Sequence, residues 1–77
     1  MIFLIEYDRA AGQIVTIQTF EPLKKKDAEK ARLDLEIALN REGVEREVVV
    51  LEAASEEALR RTHRRYFEDI SDLVRTS

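Results

Sequence analysis

Residues 55–67, Ser-Glu-Glu-Ala-Leu-Arg-Arg-Thr-His-Arg-Arg-Tyr-Phe, gather the side chains of this chain best equipped for chemistry. Four arginines, the only histidine and two of the five aromatics fall within one short stretch. His63 is the natural general base, because an imidazole titrates close to neutral pH. Catalysis also needs a nucleophile or a paired acid within reach. The polar neighbours on the same expected helix are Thr62, Tyr66 and Glu57, and they form no matched set. The competing reading places His63 at the rim of a core, its ring packed and one nitrogen bonded to backbone or carboxylate.

Arg60, Arg61, Arg64 and Arg65 are the second constellation. On a continuous helix, Arg60 with Arg64 and Arg61 with Arg65 form two adjacent rows on the solvent side. Guanidinium groups in such an array bind phosphate or carboxylate bidentately, and Tyr66 and Phe67 add a surface for stacking. The plainer reading is a self-paired, solvated face. Glu56 and Glu57 precede Arg60 and Arg61 by four, while Glu68 and Asp69 follow Arg64 and Arg65 by four. Exposed pairs of this kind contribute about 0.3–0.5 kcal/mol each. Arg60, Arg61, His63, Arg64, Arg65 and Tyr66 are therefore the candidate residues for an anion or partner site.

Lys24, Lys25 and Lys26 make a second basic run, at the end of a helix where acids are preferred; it reads as a solvated face. Leu33 and Ile37 lie one turn apart, opposite the apolar stripe of their helix, and are the candidate interface pair. Other signatures are missing. The two glycines, Gly12 and Gly43, serve a turn and a helix stop, not a phosphate loop. No serine sits in a nucleophile elbow and no acidic run has calcium-loop spacing. Glu45 and Glu47 share a strand face without a partner to split their pKa values. One histidine and no cysteine leave the usual zinc sites without ligands, so neither a metal nor another cofactor is expected.

These residues have to be positioned by a single small domain, since 77 residues leave no room for two cores. The charged fraction is 38% with a net charge of -3, a balance that suits a soluble cytosolic protein and disfavours a general nucleic-acid binder. Residues 1–59 carry -5, residues 60–65 carry +4 and residues 66–77 carry -2, so one basic patch stands out locally. No apolar run reaches membrane-spanning length, and the start of the chain turns acidic at Glu6 without a basic leader. Both point to the cytoplasm.

Residues 2–7 and 13–20 read as the strands of a β-hairpin, with Asp8 opening and Gly12 closing the turn. Setting Ile5 opposite Val15 puts Phe3, Ile5, Tyr7, Val15 and Ile17 on one face. The other face keeps Ile2, Leu4, Ile14 and Phe20, so something must cover it too. Pro22 ends the second strand. A helix follows over about 24–42, with Ala28, Ala31, Leu35, Ala38 and Leu39 as its stripe and Gly43 as its stop. Residues 45–53 form the third strand. Ser55 caps a second helix that runs to about residue 67, and to Val74 if its stripe of Leu59, His63, Tyr66, Ile70 and Leu73 is followed throughout. Residues 75–77 should fray, leaving an ordered core of about 2–70.

The fold class expected is thus α+β: ββαβα, three strands in the order 2-1-3 and two helices. The order follows from the first strand being the more apolar; the third strand beside the second is the alternative. In size and make-up the chain is similar to the small single-domain α+β proteins that bacteria encode in large numbers. With no catalytic set and a surplus of apolar surface, the leading expectation is a non-enzymatic interaction or adaptor module. It would form a homodimer or bind a protein partner and would not enter membranes. Anion or nucleic-acid binding through the arginine-rich helix is the alternative, and a small enzyme centred on His63 comes third.

Overall fold

The computed structural model describes residues 1–67. Two strands, β1 (Ile2–Asp8) and β2 (Gln13–Phe20), form the hairpin. Asp8 organises its turn: the Ala11 amide donates to Oδ1 at 3.1 Å and the Gly12 amide to the Asp8 carbonyl at 2.8 Å. Gly12 has φ 68°, a left-handed conformation that glycine adopts without a Cβ penalty.

The hairpin register differs from the expected one. Ile5 faces Ile17, not Val15, and a β-bulge interrupts the ladder where Glu6 faces Thr16 but Tyr7 faces Ile14. The loop is one residue longer than the expected register requires, and Val15 is the extra residue of the bulge, so the pairing moves by two. Phe3, Ile5, Tyr7, Ile14 and Ile17 share the face. Val15 has no partner on β1 and is 45% exposed.

The third strand, β3 (Glu47–Glu52), pairs with β1 on its other side, giving a wholly antiparallel sheet in the order β2-β1-β3. It is shorter than 45–53. Its pairing with β1 begins at Tyr7, opposite Glu47, and residues 45 and 46 approach as irregular chain. At the far end the Met1 ammonium donates to the Ala53 carbonyl at 2.9 Å, and the Ala53 amide donates back at 3.0 Å.

Central β1 is buried at every position from Ile2 to Tyr7 because both faces of the sheet are covered. Helix α1 (Lys25–Glu42), entered through a 3-10 turn at Pro22–Lys24, packs over β1 and β3. Its side of the sheet carries Ile2, Leu4 and Glu6, alternating with the other face. Ala28 is fully buried, Ala31, Leu35 and Leu39 are half-buried, and Ala38 is exposed, so the working stripe is one residue narrower than expected. Gly43 stops the helix at φ 67°. Its amide donates to the Asn40 carbonyl and the Val44 amide to the Leu39 carbonyl, the paired bonds of a Schellman turn.

The opposite face holds Phe3, Ile5 and Tyr7 against Leu59 and Tyr66, with Ile14, Val49, Leu51, Ala53 and Phe67 around them. Leu59 comes from α2 (Glu56–Thr62), which Ser55 caps by accepting the Ala58 amide at 3.1 Å. This helix is shorter than expected. At His63 the backbone leaves the helical region (φ -124°, ψ 52°), and a 3-10 turn follows over Arg64–Tyr66. Thr62 Oγ1 donates to the Ala58 carbonyl at 3.0 Å, the back-bonding by which threonine competes with the helix ladder. Ile70, Leu73 and Val74, the expected partners Glu68 and Asp69, and residues 75–77, expected to fray, lie outside the described residues. No helix among the described residues is long and apolar enough to cross a membrane.

Candidate functional site

The break at His63 decides how the arginine-rich segment is displayed. Arg60 and Arg61 remain on α2 and make the expected pairs, to Glu56 Oε1 at 3.1 Å and to Glu57 Oε1 at 2.7 Å. Arg60 also lies over the Phe67 ring, 4.6 Å from its centroid. Arg64 and Arg65 belong to the 3-10 turn, so the two continuous rows do not form. Arg64 is exposed. Arg65 turns to the sheet, donating to Glu47 Oε2 at 2.6 Å and to the Tyr66 hydroxyl at 2.7 Å while stacking 4.4 Å from the Tyr66 ring centroid.

Glu47 is the hub of that corner. The Tyr66 hydroxyl donates to the same Oε2, and Arg9 Nε lies 3.0 Å from Oε1. Glu47 stands opposite Tyr7 in the ladder, and Tyr7 meets the Tyr66 ring edge to face at 5.1 Å. Two guanidinium groups and a phenol therefore converge on one carboxylate of which 14% is exposed. Burial, followed by the hydrogen bond to Glu47, raises the Tyr66 phenol above its ordinary pKa. The hydrogen bond from Arg65 to Tyr66 holds that guanidinium more firmly in its charged form. On the other face Glu6, also buried, accepts from Arg46 Nη1 at 2.7 Å and from Thr16 Oγ1 at 3.4 Å. Sequence spacing gave no sign of either cluster, since their members come from separate elements.

His63 is half-buried at the edge of this layer, its ring 6.5 Å from that of Tyr66. Among the described residues its imidazole has no hydrogen-bonded acid or nucleophile. Among the same residues no group of acids and histidine is placed to hold a metal ion. Beside the arginines, a cleft of about 360 Å³ opens between β2 and α2, lined by Ile14, Ile17, Tyr66, Phe67, Glu56 and Arg60. Its floor is apolar and its rim carries one ion pair.

Leu33 and Ile37 lie on the outer side of α1 and are 54% and 45% exposed, where the spacing put them. A second apolar surface was missed. Val15 and Ile17 on β2 are also exposed, and Gln13–Phe20 is the outer strand of the sheet. The sequence did carry a sign of it: residues 10–20 contain no Asp, Glu, Lys or Arg, in a chain that is 38% charged. Comparison of the chain with protein-family models, with curated proteins and with solved structures gave no match in any of the three.

Proposed function

We propose that this protein is a small non-enzymatic interaction module that works as a homodimer or on a protein partner. The observation that carries this reading is its exposed aliphatic surface. Leu33 and Ile37 on α1, and Val15 and Ile17 on β2, stand in water on a domain whose central strand is already covered on both faces. The two pairs lie on different elements, and paired exposed aliphatics mark an interaction site more often than single ones do. We also propose a cytoplasmic location, which the mixed, mildly acidic charge supports. Sedimentation equilibrium from low micromolar to millimolar concentration tests self-association. The expected outcome is a reversible dimer; a strict monomer throughout removes that form of the reading.

One observation favours anion or nucleic-acid binding as a second reading. Arg60 is stacked on Phe67 and held by an exposed i,i+4 pair, so a phosphate could displace Glu56 beside a stacking surface. Arg65, engaged by Glu47, is withdrawn from the array. Duplex DNA bound through the remaining three arginines should show a log–log salt slope of about -2.7. Absence of binding at low salt, or binding unchanged in Arg60→Ala/Arg61→Ala, overturns this reading. A small enzyme centred on His63 has the least support, because neither a nucleophile nor a paired acid adjoins the imidazole among the described residues.

A further inference from the structure

We propose that two copies of this chain join edge to edge through the Thr16–Phe20 half of β2, antiparallel about a two-fold axis at Gln18, making one continuous six-stranded sheet. The inference rests on the interaction-module reading and names its surface and its partner, a second copy.

The direction of the backbone groups comes first. Met1 and Ala53 exchange both of their hydrogen bonds, which fixes the phase of the β1–β3 ladder. In an antiparallel ladder, bonded and non-bonded pairs alternate. Phe3 and Ile5 therefore bond to β3, and Ile2, Leu4 and Glu6 bond to β2 at Phe20, Gln18 and Thr16. The N–H and C=O groups of Ile17 and Thr19 must then point away from β1. Among the described residues no strand pairs with that outer edge.

Charge and regularity select the edge and the register. Edge strands are ordinarily blunted by lysine, proline or a bulge. From Gln13 to Phe20, β2 has no charged residue and no proline, and its one bulge lies at Val15. Beyond the bulge, Thr16 to Phe20 pairs without interruption. The other edge, β3, has glutamate at both ends, tied to Arg9, Arg65 and Lys25. Centring β2 on Ile17 would run Thr19 into the bulged Val15 of the second copy. Centring it on Gln18 confines the pairing to the regular half. Ile17 of each copy then exchanges both backbone bonds with Thr19 of the other, and the Gln18 side chains meet at the axis.

Four variant chains and one exchange measurement test this. Thr19→Pro deletes only an outward N–H and leaves the β1 ladder intact. Gln18→Lys sets two like charges directly opposite one another, weakening association about fivefold at low salt. We expect both variants to keep the wild-type circular dichroism and to shift toward monomer in sedimentation equilibrium. Mixing Gln18→Lys with Gln18→Glu chains should restore the dimer. Hydrogen exchange at the Ile17 and Thr19 amides should slow as protein concentration rises, while the Gln18 amide stays concentration-independent. A dimer unaffected by both variants overturns the edge model. So does a dimer abolished only by Leu33→Asp/Ile37→Asp, although the interaction-module reading then survives. A wild-type monomer with no concentration-dependent exchange overturns the edge model together with the homodimer form of the interaction-module reading.

Discussion

Glu47 shows how much a single carboxylate organises. It ties the β1–β2 loop through Arg9, and the C-terminal turn through Arg65 and Tyr66, to the start of β3. Replacing it with alanine takes the carboxylate acceptor from the buried Tyr66 hydroxyl, while the exposed Arg9 and Arg65 turn to water, and should cost about 1 kcal/mol in urea denaturation. Tyr66 gives the corner a pH dependence with a definite sign. Its raised pKa means that the folded state favours the neutral phenol. That contribution is complete below the unfolded value near 10 and is lost as pH rises through the higher folded value. The stability difference between wild type and Tyr66→Phe should therefore hold up to about pH 10 and shrink as the pH rises above it, read from urea melts at each pH. None of this corner was legible in the sequence. Arg65 was paired there with an acid on its own helix, because spacing reports only local neighbours. Its partner among the described residues lies on another element, reached only because His63 breaks the helix.

At the scale of elements, the local signals were reliable where the deciding interaction is itself local. Ser55 caps α2, Gly43 ends α1 with the expected Leu39 to Val44 partnership, and Asp8 with Gly12 turns the hairpin. Two substitutions check these stops. Ser55→Ala should cost about 1 kcal/mol. Gly43→Ala should cost about 1 kcal/mol as well, and for a conformational reason: a Cβ there meets nothing within 4 Å, but φ is +67°. Thermal melts of the two variants measure both. Signals that depend on the partner strand failed. The bulge at Val15 trades one residue of register for a longer turn, and alternation in a single strand cannot register an insertion relative to its neighbour. The end of α2 was missed because Tyr66 keeps the spacing of the Leu59 stripe even after the helix stops.

For the whole molecule, the strand order followed from simple composition. The most apolar strand took the centre, and covering both faces with helices removed the conflict in its mixed second face. The apolar layer under α2 is small and rests on few residues. Leu59, fully buried between α2 and the sheet, should cost about 2–5 kcal/mol when cut to alanine. That is a large share of the total of about 4–12 kcal/mol expected for a domain of this length. Leu59→Ala should accordingly melt well below the wild type by circular dichroism, and recover part of that loss with a stabilising osmolyte.

The covered centre of the sheet also has a consequence in time. During synthesis β1 leaves the ribosome before every segment that will shelter it: β2, then α1, then β3, and last the stretch carrying Leu59 and Tyr66. The greasiest strand must wait, half dressed, until the segment from Leu59 to Tyr66 has emerged, so a nascent chain stalled anywhere before Leu59 is a natural client for a chaperone.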